Sequence, residues 1–312
     1  MRRAAILYNP NSGRPGHRIY YVEGAAAALR QQNIDVTIIA TEGPGTAGKQ
    51  ATALADDHDI IFVGGGDGTI HEVAQGLAFH PHATLGIVPF GSANALCRHI
   101  GIDLNPIRAV RQQINFTPQT IPLGRVIYTT PAGEQSRYFV VMAGAGSDGA
   151  LVYKMLADSK QAIGRFAYYH RAARLFAKHH FAPFDIGYTL HDGTMVSTIA
   201  VSAMAVRVAD LGGLFSSLVR GASIEHPHLT LAIASSPARL SLPAWFATSW
   251  TRTHRWNPFV QTVQVDSFHC GVGTDPVQVQ ADGEWLGQTP MTVTLIPNAL
   301  RLLMPPTSPP EQ

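Results

Sequence analysis

The sequence predicts an α/β amino-terminal domain, with a parallel sheet and flanking helices, followed by a strand-rich, mainly antiparallel carboxy-terminal domain. Three observations predict it. Apolar runs alternate with helical patterns over residues 4–100; strand-like runs then follow one another with a single helical interruption. The length of 312 residues suits about two domains.

Taken in order, Ala4–Tyr8, Val36–Ala40, Ile60–Val63 and Leu85–Val88 are short apolar runs rich in β-branched residues, the pattern of buried strands. Arg18–Gln32, Ala47–Asp56, Thr69–Ala78 and Ala93–Ile100 carry the helical pattern between and after them. Four β-then-α units in succession imply parallel strands flanked by helices. Residues 1–122 are assigned to this domain and residues 123–296 to the second. The second domain reads as strands at Gly124–Thr129, Arg137–Met142, Phe184–Leu190, Met195–Val206, Leu229–Ala234 and Val260–Phe268, with one helix at Ile163–His179. The proline-rich tail, residues 306–312, is expected to be disordered.

Composition narrows the function classes. Charged residues make up 14% of the chain, against roughly 25% in a typical soluble domain. A net charge of +2 supplies no basic field for general nucleic-acid binding. Two cysteines, Cys97 and Cys270, cannot form a disulfide framework and read as small buried apolar residues in a reducing cytosol. No stretch reaches the ~18 apolar residues of a membrane span. The expected location is cytoplasmic.

In an open parallel sheet, ligands bind beyond the carboxyl ends of the strands. The segments leaving those ends are Asn9–Gly13, Thr41–Gly45, Gly64–Thr69 and Pro89–Asn94, all small, polar and glycine-containing. Gly64–Thr69 is the strongest signal: glycines permit close backbone approach, and Thr69 opens a helix whose unpaired amides attract an anion. Asp67 falls where a phosphate would sit, so its carboxylate is useful only through a cation or a hydrogen-bond network. Gly91 frees the fourth loop, while Ser92 and Asn94 offer side-chain groups at the next helix start. Gly43–Gln50 imitates a P-loop, but Gln50 stands where the magnesium-binding hydroxyl belongs. Far downstream, Asp282-Gly283-Glu284 offers two carboxylates that a strand would place on one face. The same residues also suit an Asp-Gly hairpin turn.

Together these segments resemble the diacylglycerol kinase catalytic family, specifically its soluble bacterial lipid kinases. The resemblance runs through Asn9-Pro10-Asn11-Ser12-Gly13, Thr41, Gly65-Gly66-Asp67-Gly68-Thr69-Ile70-His71-Glu72-Val73, Pro89–Asn94, Gly144-Ala145-Gly146-Ser147-Asp148, Gly164 with Tyr168, Gly212-Gly213 and Asp282-Gly283-Glu284-Trp285. It implies ATP- and Mg2+-dependent phosphorylation of a primary hydroxyl on a membrane lipid, in a cleft between an NAD kinase/diacylglycerol kinase-like domain and a β-sandwich-like lipid domain. It also implies that Pro297–Pro305 returns to complete the first domain. On motif position, Asn9, Asn11, Ser12, Gly13, Thr41, Gly65, Gly66, Asp67, Gly68, Thr69, Glu72 and Ser92 line the nucleotide site, with Asn94 beside them in the fourth loop. Glu284 would accept the lipid hydroxyl proton, Asp282 would assist, and Asp67 would act through the phosphate–magnesium network.

Two departures bear on substrate and metal. Ala95 follows Asn94 where diacylglycerol-type members usually carry Asp, so Gly91–Leu96 is closer to sphingosine-type kinases. Ala222–His228 retains one carboxylate, Glu225, where bacterial members often hold a structural magnesium with an acidic pair, so that site is expected to be weakened or lost. A lipid kinase must also touch its membrane. Lys160–Phe184 and Trp245–Trp256 mix aromatic and basic residues suited to an anionic headgroup layer, although core packing is the ordinary alternative. The sequence is compatible with a homodimer. The competing readings are a catalytically silent lipid-binding or regulatory protein on the same fold, and an NAD kinase-like enzyme.

Overall fold

The structure is a computed structural model that describes residues 2–13, 16–157, 181–211, 219, 221–235, 244–245 and 260–306. The chain divides into two compact units, Met1–Leu123 with Pro297–Gln312, and Gly124–Ile296.

The first unit follows the alternation read from the sequence: β1 (Arg3–Tyr8), α1 (Arg18–Arg30), β2 (Asp35–Ala40), α2 (Ala47–Ala55), β3 (Ile60–Gly65), α3 (Asp67–Leu77), β4 (Thr84–Pro89) and α4 (Ala95–His99). Its strands lie in the order β4-β3-β1-β2, all parallel. Every residue of β3 and β4 is buried, which is why both read as unbroken apolar runs. The register aligns the strand ends: Tyr8 pairs with Ala40 and Gly64, and Gly65 with Pro89. Four loops therefore leave one edge of one sheet.

A further helix, α5 (Pro106–Gln113), lies outside the four predicted βα units. Asn105 caps it by accepting from the amides of Ile107 and Arg108, with Pro106 in the first turn. Its buried Gln113 receives the Ile87 amide at 2.8 Å and donates to the Ile87 carbonyl at 2.6 Å, so a side chain extends the edge pairing of β4. The end of the last strand, β15 (Glu284–Met304), also lies parallel to β4, with Leu302 opposite Leu85.

The second unit is antiparallel. After β5 (Thr117–Thr130) come β6 (Gly133–Phe139), β7 (Met142–Gly146), α6 (Ser147–Ala157), β8 (Phe184–Thr189), β9 (Met195–Ala200), β10 (Ser202–Val206), β11 (Leu229–Ala234), β12 (Val260–Val265), β13 (Ser267–Cys270) and β14 (Gln278–Ala281). One layer runs β12-β11-β10-β7-β14, then the start of β15; β9, β8 and β13 follow one another against a later stretch of β15. Leu231, Ile233, Ala203 and Val279 from the first set share a core with Phe184, Ile186, Phe268 and Val293 from the second. The opposite face of β10 and β11 is covered by a second core containing Leu151 and Trp245.

Three single strands read from the sequence are divided. Met195–Val206 becomes β9 and β10, because β9 pairs with β8 whereas β10 pairs with β7 and β11, and Val201 turns between them to donate to the Ala234 carbonyl. Val260–Phe268 becomes β12 and β13 across Asp266, whose amide donates to Thr189. Arg137–Met142 is interrupted at Val140–Val141, whose amides go to a side chain. The expected helix at Ile163–His179 and the Gly164, Tyr168 and Gly212-Gly213 positions lie outside the described residues. Of the two aromatic segments considered for membrane contact, the described Phe181, Phe184 and Trp245 are core residues. No helix among the described residues is long and apolar enough to cross a membrane.

Candidate functional site

In the first unit the site is made largely of backbone. Gly66 links β3 to α3 in an extended conformation and gives α3 no side-chain cap, leaving the first-turn amides without a side-chain acceptor at that position. A Cβ on Gly91 would lie 2.7 Å from the Gly66 Cα and 2.5 Å from Asn94 Oδ1, so the third and fourth loops meet glycine against glycine. Asp67 joins the same two loops through its carboxylate: Oδ2 accepts from the Asn94 amide at 2.9 Å and Oδ1 from the Ala95 amide at 2.8 Å. It thereby caps α4 while Asn94 adopts a left-handed conformation at φ 47°.

The other loops are tied by similar means. Asn9 Nδ2 donates to Thr69 Oγ1 at 3.3 Å, and Asn9 Oδ1 accepts from the Asn11 amide at 2.8 Å. Arg18 donates to the carbonyls of Pro10, Ser12 and Gly13 and closes the Asn9–Gly13 loop around its guanidinium. Thr41 is buried, its amide donating to Tyr8 at 2.8 Å. Glu72 accepts from the amides of Gly45 and Ala47, both at 3.1 Å, and so anchors the second loop to α3. Gln50, at the position that distinguishes this segment from a P-loop, instead accepts from the Glu42 amide and donates to the Ala40 carbonyl. Ser92 is exposed, as is Gly68, where an added Cβ would meet open space.

These residues fit a nucleotide. The uncapped start of α3 offers donors to phosphate oxygens. Asn94 Oδ1 is buried with no partner and is an acceptor, which suits a hydroxyl or amino group rather than a phosphate. A protein-held metal fits less well: no group of three or more His, Cys, Asp or Glu residues among those described could hold an ion. Asp67 and Glu72 are already engaged by amides, and Glu225, on the loop before β11, has no such group around it among the described residues. Magnesium is commonly held by one or two carboxylates plus substrate phosphates, so an ion carried by the nucleotide remains compatible with this set.

In the second unit the reading of Asp282-Gly283-Glu284 as a hairpin turn and its reading as a functional element coincide. Ala281 pairs with Glu284, and the two residues between them have φ values of 47° and 82°, the signature of a tight Asp-Gly hairpin. Asp282, expected to assist Glu284, serves the fold directly. Its carboxylate accepts from the amides of Val140, Val141 and Met142 at 2.8, 2.9 and 2.8 Å. Glu284 is half-buried and pairs with Arg137 Nη2 at 2.6 Å. The buried Arg207 donates from Nη2 to the Ile224 carbonyl at 2.6 Å, while its Nε and Nη1 have no hydrogen-bond partner. Burial lowers the Arg207 pKa to about 10, partly offset by the negative charge of Asp282.

Arg18, Arg137, Arg207 and Gln280 carry no signal in the sequence. Each acts through a partner distant in sequence or through a backbone carbonyl, and no local spacing marks such a role. The two thiols are buried as expected; burial raises Cys97 to about 12, with Asp67 adding to the effect, so it stays neutral and unreactive.

Residues 3–126 match the diacylglycerol kinase catalytic domain, and residues 140–304 match the YegS C-terminal NAD kinase beta sandwich-like domain. The chain belongs to the diacylglycerol kinase family. Among other family members, it is 25% identical over 306 residues to the diacylglycerol kinase of Staphylococcus epidermidis strain RP62A, covering 97% of this chain and 92% of that protein. It is 27% identical over 293 residues to that of Staphylococcus haemolyticus strain JCSC1435, covering 93% and 84%. A crystal structure of a diacylglycerol kinase from Bacillus anthracis strain Sterne superposes with a TM-score of 0.74 at 22% identity over 98% of both chains, a likeness of fold.

Proposed function

We propose that the protein is an ATP-dependent lipid kinase that transfers the γ-phosphate to a primary hydroxyl of a membrane lipid, diacylglycerol or a sphingoid-like alcohol. The observation that carries the nucleotide half is the uncapped α3 amino terminus, set by register among three other strand-end loops of a diacylglycerol kinase-family sheet. The γ-phosphate oxygens would take donors from the Gly66–Thr69 backbone, and the buried Asn94 Oδ1 would accept from a nucleoside hydroxyl or amine. Magnesium, when bound with the nucleotide, would neutralise phosphate charge.

Glu284 is the proposed general base. It would take the lipid hydroxyl proton as that oxygen bonds to the γ-phosphorus and the bond to the ADP oxygen breaks. Arg137 would hold the carboxylate in place, and Asp282 would act through the turn. Ala95 contributes its backbone amide to Asp67 and a buried methyl group. The absence of an acidic side chain there supports keeping a sphingoid-like acceptor beside diacylglycerol.

One observation favours a catalytically silent relative. Asp67, Glu72 and Asp282 are each engaged by backbone amides, and Glu284 by Arg137. Measuring ATP consumption with a lipid panel separates the readings. The kinase reading expects lipid-stimulated turnover that Glu284→Gln lowers by about 100-fold or more. No lipid-stimulated turnover, or full activity in the variant, would refute it.

A further inference from the structure

The segment Gly144-Ala145-Gly146-Ser147-Asp148 carries an acid to which the chemistry above gives no role. Asp148 lies in the first turn of α6, half-buried, with its Oδ1 atom fully enclosed. Its Oδ2 accepts from Gln280 Nε2 at 2.9 Å, and Gln280 is 1% exposed. The other end of that amide, Oε1, accepts from the Gly283 backbone N–H at 3.0 Å. Gly283 is the central residue of the turn between Asp282 and Glu284. A part-buried chain of two hydrogen bonds thus runs from α6 through the buried Gln280 amide to the exposed turn that presents Glu284.

We propose that Asp148 is a positioning residue for Glu284, acting through the Gln280 amide to hold the Asp282–Glu284 turn. The inference rests on Glu284 being the base.

A glutamine side chain can present either end to a neighbour, and the choice is set by what surrounds it. An ionised carboxylate only accepts, so Asp148 draws the NH2 end of Gln280 toward itself and leaves the carbonyl end for Gly283. Without that acceptor nothing on the α6 side selects this orientation, and Gly283 loses its hydrogen-bond partner. The helix is held close enough for the contact by Gly149, where a Cβ would lie 2.1 Å from the Gln278 carbonyl oxygen. Burial raises the Asp148 pKa to about 6, with the Gln280 bond opposing the rise, so the carboxylate is mainly ionised at neutral pH. The titratable group it faces is the buried Cys270 thiol on β13, itself raised by burial and by Asp148. Asp148 Oδ1 is buried without a partner, so the carboxylate has a single side-chain anchor.

The arrangement predicts a graded series. Asp148→Leu and Gln280→Leu each lower kcat about tenfold, with the KM for ATP and lipid unchanged within about twofold. Asp148→Asn retains most of kcat, because its carbonyl oxygen still accepts from Gln280. The double variant Asp148→Leu/Gln280→Leu is no worse than either single change, since both break one chain. A readout independent of turnover is hydrogen exchange of the Gly283 amide, expected to be about tenfold faster in both Leu variants and near wild type in Asp148→Asn. Unchanged Gly283 exchange in a folded Gln280→Leu protein would overturn the proposal. So would a raised lipid KM at constant kcat in Asp148→Leu, which would mean direct substrate contact. Faster Gly283 exchange without any lipid-stimulated turnover would uphold the relay and reject Glu284 as the base.

Discussion

The two units use their acids differently. In the first, Asp67 and Glu72 are half-buried and accept backbone amides, Asp67 joining the third and fourth loops and Glu72 anchoring the second loop to α3. In the second, Arg207 is buried and Asp148 half-buried, both with pKa values displaced by desolvation, and Asp282 organises the chain between β6 and β7. The first unit builds its site from glycines and amides and can tolerate a lost cap. On the proposal above, the second concentrates the position of Glu284 in a few polar side chains, the buried Gln280 and the half-buried Arg137, Asp148 and Asp282. Its site should therefore be the more easily broken of the two.

The largest expected effect tests that contrast. Asp282→Ala leaves three amides without their acceptor and Arg207 without the charge that moderates it. Unfolding in urea should show a loss of about 4 kcal/mol; a loss below about 1 kcal/mol would remove the contrast. Asp148→Asn comes next and depends on pH. The carboxyl pKa of about 6 exceeds its ordinary 3.8, so the folded protein binds this proton more tightly than the unfolded chain. The resulting stability is present below about pH 4 and lost as pH rises to about 6. Relative to wild type, the neutral Asn variant should gain on the order of 3 kcal/mol across that window, and no further change should appear above it. A flat difference from pH 4 to 7 would mean that Asp148 is ionised throughout. The smallest effect belongs to the first unit: Asp67→Ala removes the α4 cap and should cost about 1 kcal/mol, with the larger consequence in nucleotide affinity.

Much of the first unit is legible in the sequence because its strands are buried on both faces and its loops are rich in glycine. Residues 64–69 and 89–94 announce a close backbone approach, and Gly66 against Gly91 supplies it. The helix α5 is harder to read although Asn105-Pro106 is a capping signal; its polar surface and buried Gln113 weaken the apolar pattern. In the second unit, apolar runs mark strands but not their ends. Nothing in Met195–Val206 signals that the chain changes layers at Val201, because Met195, Val196 and Ile199 of the largely exposed β9 run on into the apolar residues of the buried β10. The Asp282–Glu284 turn is visible as an Asp-Gly hairpin, whereas the Arg137, Gln280 and Asp148 contacts that hold it depend on tertiary neighbours.

The return of the last strand has a consequence for how the protein is made. The Phe79 amide donates to Ala299 at 2.7 Å, and Leu302 lies beside Leu85, so the part of the β4 flank that Gln113 does not close waits for residues from the far end of the chain. During synthesis on the ribosome, the first unit emerges with that part open while the entire second unit is translated. An open strand flank is a template for pairing with other chains. Nascent chains stalled before residue 297 should accordingly depend on chaperones far more than the finished protein does.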